Sequence, residues 1–172
     1  MQNKSSNAAS TQNQIHAAKE VVAYYTLAAA GTGAVPVPAA SVAVVAENGV
    51  MITHIASKLG QEIDLSTVIS SISIAGTLNV VGKSLFIEGA RLLSWGTGSI
   101  WALAALSAFG ASTAGVQTYM TGMLAIEIGK NNGHRLPPEI SGNIIKEAKR
   151  TYDSFKREWE KTPPARPSCL VN

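Results

Sequence analysis

The stretch Ala108-Phe109-Gly110-Ala111-Ser112-Thr113-Ala114-Gly115-Val116-Gln117-Thr118-Tyr119-Met120-Thr121-Gly122-Met123-Leu124-Ala125 decides the reading of the fold. Within it Ala108, Ala111, Gly115, Thr118, Gly122 and Ala125 follow one another at alternating steps of three and four residues. That spacing puts all six on one face of a helix. A face of small side chains lets a second helix backbone approach closely, so the six form a helix-packing seam. A phosphate-cradling glycine loop is the competing reading. It fails because amides inside a helix are already bonded.

Working outward, the seam lies in a helix predicted from about Ser99 to Lys130, opened by the turn Gly96-Thr97-Gly98. A second Gly-Thr-Gly, Gly31 to Gly33, lies 65 residues earlier and is followed by Pro36 and Pro38. Each proline lacks an amide donor and biases its predecessor away from the helical region. Gly31, Gly33, Pro36 and Pro38 therefore predict one hairpin turn, and Gly96 and Gly98 another. The first hairpin pairs a helix starting near Ser10 or Thr11 with one running from about Ala39 to Leu59, capped by Gly60. After the acidic turn Gln61-Glu62-Ile63-Asp64, Asp64 or Ser66 caps a third helix that is interrupted by Gly76, Gly82 and Gly89.

A breaker sequence, Asn131 to Pro138, separates this region from a last helix that Pro163-Pro164 stops. Ile140, Ile144, Ala148, Tyr152, Phe155 and Trp159 recur along it every three or four residues. The helix is therefore amphipathic, and Ile140, Ile144, Tyr152, Phe155 and Trp159 are candidates for docking onto the core or a partner. The predicted fold is all-α: two helical hairpins with Gly/Pro turns packed through small-residue faces, plus a C-terminal amphipathic helix. Residues 1–14 read as a disordered polar tail, 15–132 as the hairpin domain, 138–161 as the amphipathic helix and 162–172 as a flexible tail.

The chain has 172 residues, of which 15% are charged, against roughly 25% in globular domains. Val21 to Ala46, Leu65 to Gly82 and Leu92 to Ile126 contain no charged residue. The last of these has enough length for a bilayer, for which about 20 apolar residues suffice. From Val21 to Gly129 there are three basic and five acidic residues, and from Lys130 to Asn172 nine basic and five acidic. Interspersed acids make the basic arm a solvated helix, so nucleic acid is not an expected partner.

No catalytic, cofactor or metal site is expected. The only Gly-Lys-Ser, Gly82 to Ser84, lacks a glycine at the P-loop position, and Gly31, Gly33 and Pro36 break the dinucleotide pattern. His16, His54 and His134 lie on separate elements without metal-ligand spacing. Glu47 and His54 share a face of the second helix, where a buried polar pair or a proton relay is conceivable, though a hydrogen-bonded interface histidine is the commoner arrangement. Cys169 is the sole cysteine and excludes an internal disulfide. The N-terminal segment lacks the apolar core of a cleaved secretory signal, and Cys169 to Asn172 fits a prenylation pattern only formally.

The string Ala28-Ala29-Ala30-Gly31-Thr32-Gly33-Ala34-Val35-Pro36-Val37-Pro38, with Met51-Ile52, Lys58-Leu59-Gly60, Gly98-Ser99-Ile100 and Thr113 to Tyr119, resembles a bacterial domain of unknown function, numbered six hundred and ninety-seven among such domains. The resemblance covers roughly Ile15 to Asn132. It implies a helical, inner-membrane-associated module serving a GTPase partner, and it carries over no catalytic residue. The expectation is a non-enzymatic module that contacts membrane lipid, with both termini cytoplasmic as the positive flanks require. The alternative is a soluble helical bundle that forms a homo-oligomer or scaffold, which the mean hydropathy of +0.14 favours.

Overall fold

A computed structural model describes residues 3–34, 39–74 and 100–164, with side chains over 10–34, 43–72 and 112–164. The protein is all-helical there: α1 Asn3–Ala34, α2 Ala39–Leu59, α3 Leu65–Ile74, α4 Ile100–Lys130 and α5 Pro138–Lys161, with no strand among the described residues. α1 packs on α4 along its length and on α2, while α5 lies on α4 and α3 touches both α4 and α5.

The core follows from helical periodicity. Val21, Val22 and Tyr25 of α1 meet Met51, Ile52 and Ile55 of α2 and Leu124, Ile126 and Ile128 of α4, all buried in one cluster. Ile145, Ala148 and Tyr152 extend that cluster onto α5. Burying side chains of this size contributes about 1.5–3 kcal/mol each, the main favourable contribution in a chain with few charges.

Two local sequences bound helices as expected, one at an end and one at a start. Gly60 takes φ +64 after α2, a left-handed conformation that glycine adopts without strain. The Asp64 carbonyl accepts the amides of Thr67 and Val68, and its carboxylate accepts the amide and hydroxyl of Ser66, so Asp64 caps α3. After α4 the chain turns through Asn132 at φ 56 and Gly133 at φ 76, and the Gly133 amide bonds Ile128 O at 2.9 Å. A Cβ on Gly133 would run into the Glu62 carbonyl oxygen. Only glycine lets this turn seat against the acidic turn beside it.

Several expectations are corrected. α1 begins at Asn3, not near Ser10, so the tail expected over 1–14 is helical from residue 3 onward. Asn3 to Gln14 contains no glycine or proline, and a helix nucleated by the buried half beyond it propagates into such a segment. Gly31 and Gly33 lie inside the last turn of α1 rather than in a hairpin turn. Pro36 constrains only its immediate predecessor, and the Thr32 hydroxyl donates to Glu47 Oε1 of α2 at 2.8 Å, which helps hold the end of α1. Pro36, Pro38, Gly96 and Gly98 lie outside the described residues.

Candidate functional site

The six seam residues sit on α4. Thr118 and Ala125 are fully buried, and the side chains of Ala108 and Ala111 lie outside the described ones. A Cβ on Gly122 would stand 2.6 Å from Val22 Cγ2 and 2.8 Å from Val22 Cγ1. One on Gly115 would collide with Tyr152 Oη and lie 3.4 Å from Ala30 Cβ. The small face of α4 thus receives α1, and at Gly115 also the tip of a tyrosine from α5. Gly129, one turn further on, accommodates Leu59 and Ile63 in the same way. Its register extends the seam by four residues, a continuation readable from the same spacing but stopped short at Ala125.

The residues expected to dock a partner divide into two groups. Tyr152 is buried and Phe155 half-buried against α4, with Phe155 and Tyr119 ring centroids 4.2 Å apart and Phe155 and Trp159 at 6.3 Å. Ile140 is 47% exposed, and its inward neighbour is Ser141, at 1%. The buried line of α5 runs Ser141, Ile145, Ala148, Tyr152, one residue out of step with the expected stripe at its start. The arm therefore docks on its own α4.

That docking leaves an open groove of about 390 Å³ between α1, α4 and α5. Tyr119 and Met123 of α4 contribute to its lining with Phe155 and Trp159 of α5, and His16, Lys19 and Glu158 bring charge and polarity to it. His16 Nδ1 is 3.7 Å from Glu20. Tyr119 Oη lies 3.4 Å from Thr151 Oγ1, whose hydroxyl also bonds Glu147 O at 3.0 Å. Sequence reading named Phe155 and Trp159 but missed Tyr119, His16 and Lys19. Tyr119 lies a hundred or more residues along the chain from His16 and Lys19, which share α1, and nothing local announces their meeting.

Glu47 and His54 face α1 but do not meet each other. His54 Nδ1 lies 2.8 Å from Tyr25 Oη, and Glu47 takes Thr32. Partial burial, with Lys58 as a lesser cause, lowers the His54 pKa. A neutral ring with its hydrogen on Nε2 accepts the Tyr25 phenol at Nδ1, the interface-histidine arrangement.

The exposed residues of α2 and α3 differ in kind. Val45 is 63% exposed, Val50 44%, Leu65 43% and Ile69 52%. A Cβ on Gly49 of α2 would lie 3.9 Å from Leu65 Cδ2 at the start of α3. Between Ala39 and Ser57 the only charged residue is Glu47, turned to α1, and α3 has none. By contrast Lys146, Lys149, Arg150, Asp153, Lys156 and Arg157 cover the outside of α5, all exposed. Val45 and Val50 stand about 140° apart around α2, flanking the uncharged outward residues Ala46, Gly49, Thr53 and Ser57.

Among the described residues no helix is long and apolar enough to cross a membrane, including the part of Leu92 to Ile126 that lies in α4. Ser112, Thr113, Gln117, Thr118 and Thr121 dilute that helix, and its inward face is taken by α1. Among the described residues no group of three His, Cys, Asp or Glu side chains is placed to hold a metal ion. No protein-family model, curated protein or solved structure matches the chain, so the resemblance to a domain of unknown function rests on its quoted residues alone.

Proposed function

We propose that this chain is a non-enzymatic helical module that attaches to a membrane surface through the uncharged outer face of α2 and α3. The charged outside of α5 then faces the aqueous side, where a protein partner is met; a GTPase is the partner class that the family resemblance implies. The observation that carries the reading is the exposure of Val45 and Val50 on α2 and of Leu65 and Ile69 on α3, within stretches (39–57 and 65–74) whose only charged residue, Glu47, is turned to α1. Helices that lie in an interface pair such an apolar face with a charged one and need no spanning length. Here the two faces belong to different helices of one bundle.

The test is co-flotation of the full chain with phosphatidylcholine and phosphatidylglycerol vesicles. The expected result is recovery with the vesicles, abolished by Val45→Asp with Val50→Asp while helicity is unchanged. Recovery of the parent away from every vesicle composition, as an oligomer that the same pair of substitutions dissociates, would assign the face to a second copy and overturn the membrane reading.

A further inference from the structure

The contacts between α1, α2 and α4 fix a register. Val22 meets Gly122 and Ala30 meets Gly115, so α1 and α4 are antiparallel. Tyr25 pairs with His54 and Thr32 with Glu47, so α1 and α2 are antiparallel too. Ala29, Val44 and Ala114 form one buried cluster, a residue from each helix at the same level. Thr26 lies three residues before Ala29, Asn48 four after Val44 and Thr118 four after Ala114. Because α1 runs opposite to the other two, these steps all go the same way, one helical turn. Thr26, Asn48 and Thr118 therefore share the next level of the core.

That level is polar and closed. Thr26 is 1% exposed, Asn48 8% and Thr118 0%, and apolar levels flank it, with Ala29, Val44 and Ala114 on one side and Val22, Met51 and Gly122 on the other. Thr26 Oγ1, Asn48 Oδ1 and Thr118 Oγ1 each lack a hydrogen-bond partner among the described residues. Leaving three such oxygens unsatisfied at one level opposes folding.

We propose that this level is a hydration site, in which one ordered water molecule bridges Thr26 Oγ1, Asn48 Oδ1 and Thr118 Oγ1. Three neutral oxygens call for a neutral ligand that both donates and accepts, and buried waters typically make about three hydrogen bonds to otherwise unsatisfied groups. Small side chains, Ala29 on α1 and Ala114 on α4, bound the level on one side. Its consequence is register: sliding any one helix by a turn would bring an oxygen against Val44, Met51 or Val22 and separate it from the water. A single buried polar residue fixes alignment in coiled coils by the same logic.

The test is a crystal structure of the full chain at a resolution that shows waters, with unfolding of two variants beside it. A water within about 3.2 Å of all three oxygens supports the proposal. Thr118→Val removes one partner of the water and should lower the thermal midpoint by roughly 2 to 10 °C. The triple variant Thr26→Val, Asn48→Leu, Thr118→Val removes every oxygen together and should recover most of that loss, since replacing all partners by apolar groups is close to neutral. Side chains bonded to one another or to their own helix carbonyls, with no water between them, would overturn it. So would losses that simply add in the triple variant, and if that variant does not fold, the crystal structure decides alone.

Discussion

The α-carbon of Gly122 faces Val22 so closely that a methyl group built on it would lie 2.6 Å from one methyl of the valine and 2.8 Å from the other. Val22 is 1% exposed, and its branched side chain has little rotamer freedom on a helix. The contact between α1 and α4 is thus set by a missing side chain.

Gly122→Ala should destabilise the protein by about 1–3 kcal/mol through overpacking, despite alanine's better helix propensity. Val22→Ala in the same chain should return part of that loss, because the two sites couple directly. Urea unfolding of the parent, both single variants and the double variant measures the cycle. Additive losses would show that the seam does not close on Val22.

Tyr152 joins the arm to the core. It is 5% exposed and packs against Tyr119 and beside Gly115. Tyr152→Ala should cost about 3–5 kcal/mol, as for other buried aromatic truncations, and should raise the binding of an apolar dye. Thermal unfolding with and without the dye checks both. A parent-like midpoint would mean that α5 is not docked.

His54 gives stability a pH dependence of known sign. Its pKa in the folded protein lies below the ordinary 6.5, so the folded state favours the neutral ring. The contribution is present above pH 6.5 and is lost as pH falls through the lowered pKa. The thermal midpoint should therefore decline from pH 7 to pH 5, and His54→Gln should flatten the decline. Asp64 and Glu147, whose pKa values are lowered by hydrogen bonds from Ser66 and Arg150, act only at more acid pH. Differential scanning fluorimetry across the range is sufficient, and equal slopes for parent and variant would remove His54 from the account.

What was legible in the sequence is what local periodicity carries. The ends of α2, the cap at Asp64 and the length of α4 follow from Gly60, Asp64 and the run to Lys130, each a signal within a few residues. The end of α1 did not, because glycine in a helix costs only about 1 kcal/mol and tertiary packing of Gly33 and Thr32 outweighs it. The stripe on α5 slipped by one residue at its start because Ile144 and Ile145 are equally apolar, and packing selected Ile145. The groove and the buried polar level were not legible at all. His16, Tyr119 and Trp159 line one groove only once three helices are packed, and the burial of Thr26, Asn48 and Thr118 likewise depends on partners distant in the chain.

The orientation of the bundle on a membrane is the central claim, and a pair of single-site labels tests it most directly. With Cys169→Ser as background, a polarity-sensitive fluorophore is placed at Val45→Cys on the uncharged face or at Lys149→Cys on α5, and vesicles with and without brominated acyl chains are added. The account predicts a blue shift and bromine quenching at position 45 and neither at position 149. Quenching at 149 alone, or at neither position, would contradict it.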